Sequence, residues 1–384
     1  MLKSKDRFGY YKVNGFKTYS KVEAIELHRL TGHHPHWHFN EEIFSSYDWT
    51  QEPPASLESL YYKRALQIRH NYDYVVLCYS GGADSSNVLE TFVRNKIPFD
   101  EILTFNYHAL DPRTNNYFHA EQFAVSYPKI EQLQNQGIKF QHRSFDLSHL
   151  AFEILTSEKL ESDIAYYQNH SYGASHYARQ RIRESDPNMR RIIDSGKSVV
   201  FVWGLEKPKL SIEQQRYCIR FQDMVDTCIS TRSRVLGYEW EHDELFYWDP
   251  DCCDLMCKQA HTIMHFLKQN SFALSSKSAI NGVSHQGDNM QISYDKILDK
   301  GLTLRQILDA LIYPHWDPFT FSVGKSYQPV ISLRDEAWYK DKVLSQKLSR
   351  CVQHLSSLDP YWHNIPGDIS KGLKQQISPP YFLE

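Results

Sequence analysis

The chain has 384 residues, of which 41% are hydrophobic and 23% are charged, a composition that excludes a disordered protein. Its length predicts one large domain with an appendage, or two domains. The formal net charge of −3 gives no overall attraction to nucleic acid, so charge does not support a nucleic-acid partner, although it does not exclude a local basic groove.

The N-terminus shows no sign of targeting to a membrane. No apolar segment follows the first residues, and no apolar run elsewhere approaches the length of a membrane span. The sequence therefore predicts neither a signal peptide nor an anchor. Seven cysteines, an odd number without a regular framework, fit reduced thiols better than disulfides, and we expect a cytoplasmic protein.

Residues 1–55 read as an irregular leader that is rich in aromatic residues and histidine. A short helix is expected at residues 20–28. Four of the six residues from His33 to His38 are histidines, and histidine-rich tracts can bind metal. Pro35 and the bulky rings beside it make one convergent site the weaker interpretation, but whether this cluster binds a metal stays open.

From residue 56 onward, helical and strand patterns alternate. Helices are predicted at residues 56–70, 84–93, 117–135, 147–160 and 175–194, and strands at 74–79, 101–106, 138–143 and 198–203. Such alternation is typical of an α/β fold with a doubly wound parallel sheet. Ligands of such sheets bind beyond the carboxyl ends of the strands, where the strand order reverses. We assign residues 56–208 to this core.

The most informative stretch follows the first of these strands. It reads Ser80-Gly81-Gly82-Ala83-Asp84-Ser85-Ser86 and opens the next helix. Two glycines let the backbone approach a ligand, and the N–H groups of the first helical turn point at it. Serine hydroxyls add donors, and Asp84 could hold magnesium against phosphates. An ordinary capped turn, the competing interpretation, would need neither two glycines nor three hydroxyls.

The order Ser-Gly-Gly-Ala-Asp-Ser resembles the signature of the PP-loop (N-type) ATP pyrophosphatases, which have an adenine nucleotide alpha hydrolase-like, HUP-type sheet. It is neither a Walker A loop nor a dinucleotide-binding Gly-x-Gly-x-x-Gly motif. The superfamily includes asparagine, GMP and NAD synthetases, 7-cyano-7-deazaguanine synthase, tRNA-lysidine synthetase and the PAPS reductases. The resemblance covers about residues 70–208.

The resemblance implies ATP and Mg²⁺ as cofactors. An acceptor oxygen would attack the α-phosphorus, magnesium pyrophosphate would leave, and ammonia, an amine or a sulfur species would then displace AMP. Asp84 would hold Mg²⁺ through the phosphates, and Asn106, after the second strand, would lie near adenine and ribose. The pyrophosphate would be held by Ser80, Gly81, Gly82, Ala83, Asp84, Ser85 and Ser86.

A second charged segment, Gly204 to Pro208, follows the strand predicted at 198–203. Gly204, Glu206 and Lys207 resemble the positions that lie near the nucleotide in PP-loop enzymes. Lys207 would neutralise pyrophosphate or transition-state charge, and Glu206 would bind magnesium or orient the acceptor. A solvent-exposed loop with an incidental Glu-Lys pair is an equally good interpretation.

Residues 209–384 are predicted to form a mostly helical substrate domain, with strands at 216–221 and 226–230 near its start. A helix at 250–268 carries five potential metal ligands: Cys252, Cys253, Cys257, His261 and His265. The last four are spaced by four residues and share one stripe. One straight helix cannot surround an ion, so another segment would have to contribute, and a core helix is the favoured interpretation. Metal binding here stays open.

Several departures from the superfamily narrow the reaction. Position 2 is Leu, so the nucleophilic cysteine of a fused glutaminase is missing, and ammonia or an amine would come from solvent or a partner. The zinc cysteines of 7-cyano-7-deazaguanine synthase, the Glu-Cys-Gly of PAPS reductases and the Cys-x-x-Cys pairs of iron–sulfur tRNA thiolases are not matched. We therefore expect an AMP-forming ligase, similar to asparagine synthetase, that makes an amide or amidine C–N bond.

Other enzymes and a binding module remain as alternatives. One is a PAPS-reductase-like enzyme or sulfurtransferase that uses Cys351, Cys252 or Cys253. Another modifies a nucleobase as 7-cyano-7-deazaguanine synthase does, and a third is a nucleotide-binding module without turnover. The acceptor, a small molecule or a nucleobase, and the oligomeric state stay open.

Overall fold

The computed structural model describes most of the predicted core. The described residues are 6–19, 21–106, 121–146, 186–205, 209–223, 241–270, 302–320, 363–365, 368–373 and 376–384. The helix predicted at 147–160 and the strand predicted at 226–230 lie outside them, as do Glu206, Lys207 and Cys351.

The N-terminal region contains a small antiparallel sheet. Its strands, β1 (Tyr10–Val13), β2 (Phe16–Thr18) and β3 (His36–His38), lie in the order β2-β1-β3. Helices α1 (Lys21–Thr31) and α2 (Glu41–Phe44) follow β2 and β3. The helix predicted at 20–28 is confirmed, but the prediction that residues 1–55 are an irregular leader is wrong. Strands of three or four residues are too short for a period of two to be recognised.

One parallel sheet forms the centre of the fold. The strands that follow along the chain are β4 (Tyr74–Cys78), β5 (Glu101–Asn106), β6 (Gln141–Asp146), β7 (Val199–Trp203), β8 (Lys209–Glu213), β9 (Arg216–Arg220) and β10 (Glu241–Leu245). All except β8 and β9 join the central sheet, in the order β10-β7-β4-β5-β6. The first strand lies in the middle and the order reverses there, as in doubly wound sheets. The α/β class with a parallel sheet is confirmed.

The two edge strands differ from their sequence-based assignment. Strand β6 begins three residues later than predicted, and β10 lies beyond residue 208, where the core was expected to end. Both edge strands are rich in polar residues, so neither shows the apolar run by which the inner strands β4 and β7 were recognised. Polar composition suits an edge strand, because one of its sides is not covered by another strand.

Six helices of eight or more residues are described after the N-terminal region: α3 (Leu57–Asn71), α4 (Ala83–Arg94), α5 (Tyr127–Asn135), α6 (Pro187–Asp194), α7 (Cys253–Asn270) and α8 (Leu304–Ile312). Ser56 caps α3, since its Oγ accepts a hydrogen bond from the Ser59 N–H at 3.2 Å. A π-helical turn, Gln122–Ser126, precedes α5. Within the described ranges, every helix is too short or too polar to cross a membrane.

The region after residue 208 is not mostly helical in its described part. Beside α7 and α8 it holds β8, β9 and β10 and three further strands, β11 (His363–Ile365), β12 (Asp368–Leu373) and β13 (Tyr381–Phe382). Strands β13, β9 and β8 form an antiparallel sheet, and β11 pairs with β12. The turn from β8 to β9 is Gln214-Gln215, with φ of 50° and 62°. Two-residue hairpin turns usually carry Asn or Gly there, so this hairpin lacks its usual sequence signal.

A buried cluster of charges joins the N-terminal region to the central sheet. Arg7 donates to Glu244 Oε1 at 2.8 Å and also pairs with Asp249. Arg64, on α3, donates to Glu244 Oε2 at 2.6 Å, and the Tyr72 hydroxyl donates to Glu244 Oε1 at 2.7 Å. Burial alone would lower the pKa of Arg7, but the two carboxylates hold it well above its ordinary value. Arg7 therefore keeps its positive charge.

Replacing Glu244 with Gln tests this cluster. The substitution leaves two buried guanidinium groups with one carboxylate, so we expect the free energy of unfolding to fall by about 3–5 kcal/mol in urea denaturation. Glu26→Gln, which breaks the exposed Arg29–Glu26 pair, is the control and should cost less than about 0.5 kcal/mol. Equal losses for the two variants would contradict a structural role for the buried cluster.

Candidate functional site

The predicted anion-binding loop, Ser80 to Ser86, lies at the carboxyl end of β4. Gly81 has φ +90°, a backbone conformation that favours glycine, and Gly82 is the N-cap of α4 with an extended backbone. The Ser86 N–H donates to the Gly82 carbonyl at 2.9 Å and so begins the helix. The structure therefore has the strand, glycine turn and helix N-terminus that the motif requires, at the point where the strand order reverses.

The serine hydroxyls of this loop bond to one another and to the loop backbone. Ser80 Oγ lies 3.1 Å from Ser85 Oγ, and Ser85 Oγ also accepts from the Ser80 N–H at 3.2 Å. The Gly82 N–H donates to Ser80 Oγ at 3.4 Å. In contrast, the N–H groups of Gly81 and Ala83 donate no hydrogen bond to any described residue. These two amides are among the donors that this turn offers to an anion.

Gly204 approaches the same loop from the end of β7. A methyl group at Gly204 would lie 2.8 Å from the Asp84 carbonyl carbon and 2.8 Å from the Ser85 nitrogen. Only a glycine permits this contact, which presses the end of β7 against the first turn of α4. The structure thus brings predicted Gly204 to the loop. Glu206 and Lys207, which follow it in the chain, lie outside the described residues.

Two buried tyrosines that sequence reasoning did not single out contact Asp84. The Tyr313 hydroxyl donates to Asp84 Oδ1 at 2.5 Å, and the Tyr247 hydroxyl donates to the Asp84 carbonyl oxygen at 2.7 Å. Burial, together with the Asp84 carboxylate, raises the pKa of both phenols well above the ordinary value. Both hydroxyls therefore keep their protons at neutral pH and act as donors.

The segment before α5 covers the glycine turn. A methyl group at Gly81 would lie 3.0 Å from the Glu121 carbonyl oxygen and 3.2 Å from the Ser126 nitrogen. The Glu121 carboxylate lies next to Gly82, 3.7 Å from where a methyl group would be, and is 7% exposed. Glu121 was missed because it precedes a π-helical turn and belongs to no recognisable motif.

Asn106 lies at the carboxyl end of β5, and the partners of its side-chain amide belong to β6 and α5. Its amide donates to Ser144 Oγ at 3.0 Å and to the Tyr127 hydroxyl at 3.2 Å. The same edge carries an aromatic pair on the strands that flank β4. The rings of Phe105 and Trp203 are nearly parallel, at 5°, with centroids 6.2 Å apart. An apolar surface therefore adjoins the predicted nucleotide site.

The cysteine and histidine stripe of α7 does not form one four-ligand site. The structure instead brings Glu52 to His261 and His265, with potential ligand atoms within 4.8 Å of one another. Glu52 already accepts from Lys258 at 2.7 Å and from His265 at 2.9 Å, and a ring nitrogen of His261 lies 2.9 Å from the Trp49 carbonyl oxygen. These protein partners account for the cluster without an ion.

The described histidines of the N-terminal tract do not form one ligand group either, although His36 and His38 both contact the Glu41 carboxylate, at 3.1 and 2.9 Å. Strand β3 alternates, so that Trp37 is buried between His36 and His38. The nearest group of potential ligands joins His38 to Glu41 and Glu42, and no other histidine of the tract belongs to it. Among the described residues, no group of potential ligand atoms within 4.8 Å of one another includes more than one histidine of this tract.

All five described cysteines are thiols rather than disulfides. Burial raises the pKa of Cys253 and of Cys257 to about 12. A thiol is nucleophilic as its thiolate, so these two groups are unreactive near neutral pH. Cys252 is also buried, at 8% exposed. The thiols of Cys252, Cys253 and Cys257 therefore do not favour sulfur chemistry.

Comparison with known proteins does not identify a family for this chain: no protein-family model matches it, and no curated protein is significantly similar to it. The functional assignment therefore depends on the loop and the groups around it.

The crowding of the loop can be measured by replacing Gly81 with Ala. In urea denaturation, we expect Gly81→Ala to lower the free energy of unfolding by about 1–3 kcal/mol more than Gly137→Ala does. The reason is that an added methyl group would meet backbone atoms at Gly81 but open space at Gly137. Gly137 is a matched control, since its φ of +77° is also positive and its surroundings are open. Similar losses would show that the loop is not covered by the segment before α5.

The thiol assignment predicts protection from alkylation. In native protein treated with iodoacetamide at about pH 8, mass spectrometry should find Cys253 and Cys257 unmodified, and urea should expose both. Because their native pKa of about 12 exceeds the ordinary value of 9.0, their contribution to stability is complete below pH 9 and is lost as the pH rises towards 12. Rapid labelling of native Cys253 would contradict this assignment.

Proposed function

We propose that this protein is an ATP-dependent adenylating enzyme with a PP-loop, HUP-type core. It would cleave ATP to AMP and pyrophosphate and activate an acceptor for C–N bond formation. The observation that carries the proposal is the loop from Ser80 to Ser86, with two glycines and three serines between the central strand and α4. Its place at the reversal of strand order is where such sheets bind nucleotides.

The loop offers hydrogen-bond donors of the kind that a pyrophosphate group needs. The amides of Gly81 and Ala83 donate no hydrogen bond to any described residue, and they lie at the positive end of the α4 dipole. The hydroxyls of Ser80 and Ser85 bond to each other and to the loop backbone, so rotation of either side chain would redirect a donor towards a phosphate oxygen. Backbone and hydroxyl donors would therefore take the place of a Walker A lysine.

Two carboxylates beside this loop support a requirement for Mg²⁺. Asp84 lies on the first turn of α4, and Glu121 lies next to Gly82. Carboxylates repel phosphate oxygens unless a divalent cation lies between them. Asp84 would hold that cation through the phosphates, with Glu206 a further candidate from the segment after Gly204. Lys207 would neutralise charge on the leaving pyrophosphate.

The reaction would proceed in two displacements. An acceptor oxygen attacks the α-phosphorus and pyrophosphate leaves, and ammonia or an amine then displaces AMP. The protein would mainly position the reactants and neutralise charge. The buried thiols of α7 support nitrogen rather than sulfur as the nucleophile, and five cysteines without disulfides support a cytoplasmic location. The acceptor would be a small molecule or a nucleobase.

Labelled ATP tests this function directly. Purified protein, [α-³²P]ATP, Mg²⁺ and a metabolite extract should yield AMP and pyrophosphate. Asp84→Ala and Ser80→Ala should each lower the rate by about 100-fold or more, because each removes a group that would contact the metal or the phosphates. Ser195→Ala, at the exposed end of α6, is the control and should keep the rate.

The products separate the alternatives. Release of ADP and phosphate would exclude α,β-cleavage. Binding of ATP without pyrophosphate release for any amine, acid or nucleic-acid acceptor would favour a nucleotide-binding module without turnover.

A further inference from the structure

The hydrogen bonds of Asp84 fix both its side chain and its backbone. One carboxylate oxygen accepts from Tyr313, and the main-chain oxygen accepts from Tyr247. We propose that Tyr313 is a positioning residue for Mg²⁺, which it serves by orienting the Asp84 carboxylate that would bind the metal. This inference rests on the proposed function and deepens it, because it assigns part of the metal site to the segment after residue 300.

Tyr313 is itself held from two directions. It directly follows α8, and the carbonyl of its neighbour Ile312 accepts from the Tyr61 hydroxyl of α3 at 2.6 Å. Gln259 of α7 donates to that same hydroxyl at 2.9 Å. Helices α3 and α7 therefore fix the backbone next to Tyr313, and its ring is fully buried where its hydroxyl contacts Asp84.

Tyr247 holds the other end of Asp84. Its hydroxyl accepts from Asn87 Nδ2 at 3.0 Å while it donates to the Asp84 carbonyl oxygen. Asn87 lies one turn further along α4. The backbone of the first helical turn and the carboxylate are thus fixed by different tyrosines, which come from the segment after β10 and from the segment after α8.

This arrangement suits Mg²⁺ for a geometric reason. The ion demands near-octahedral geometry and is usually held by one or two carboxylates together with the phosphates. A carboxylate that already occupies one rotamer loses less conformational entropy when it binds a metal. The hydrogen bond from the Tyr313 hydroxyl to Asp84 Oδ1 therefore orients the carboxylate before the metal binds.

The test compares Tyr313→Phe with the wild-type protein in binding of a fluorescent ATP analogue titrated against Mg²⁺. The Mg²⁺ concentration for half-maximal binding should rise about tenfold, as is typical when a partner of a metal ligand is removed. Saturating Mg²⁺ should restore binding of the analogue to the wild-type level, because the phosphate-binding amides are unchanged.

Tyr11→Phe is the matched control. It also removes the hydroxyl of a fully buried tyrosine, but that hydroxyl donates to Asp223 and belongs to β1 of the N-terminal sheet. Both variants should lose thermal stability, and only Tyr313→Phe should need more Mg²⁺. This difference separates positioning of the metal ligand from general support of the fold.

Three other outcomes would overturn the inference, and they show whether the proposed function fails with it. If wild-type protein binds the analogue with Mg²⁺ and Tyr313→Phe has the same Mg²⁺ requirement, the positioning role is wrong and the proposed function stands. The same conclusion follows if Tyr11→Phe and Tyr313→Phe need equally more Mg²⁺. If the wild-type protein does not bind the analogue at any Mg²⁺ concentration, the proposed function and this inference are both wrong.

Discussion

Paired buried charges hold distant parts of this chain in one core. Arg7 from the N-terminal region and Arg64 from α3 both contact Glu244, on edge strand β10. Because a buried charge without a partner costs several kcal/mol, the three elements are bound to one another. Glu244 is three residues before Tyr247, which reaches Asp84. The geometry of the candidate site thus depends on a salt-bridge cluster that lies outside it.

Close approach of backbones is the second constraint on the site. A side chain in place of Gly204 would clash with the first turn of α4. A side chain in place of Gly81 would meet the backbone of the segment that carries Glu121. Both contacts hold the N-terminus of α4 against its neighbours. The amides of that turn are consequently presented in a fixed direction, so an anion would meet preorganised donors and would not have to order a mobile loop.

Tyrosine hydroxyls connect this loop to the second half of the chain. Tyr247 follows β10 and Tyr313 follows α8, yet both bond to Asp84. The acidic residue of the loop is therefore shared by the central sheet and by the segments that the sequence assigned to a separate substrate domain. A movement of α8 would change the environment of Asp84 directly, because Tyr313 follows that helix without an intervening residue.

The sequence by itself determined the inner strands, most of the helices and the glycine loop, because these have local causes: apolar runs, helical periodicity and paired glycines. Edge strand β10, the Gln214-Gln215 hairpin and the contacts of Glu121 and Tyr313 were decided only by tertiary structure. The hairpin is local but lacks the usual Asn or Gly in its turn. The others depend on polar groups that find partners far away along the chain, as Tyr313 finds Asp84 across 229 positions. Such pairings satisfy buried polar atoms without leaving a periodic pattern, so no sequence rule could have predicted them.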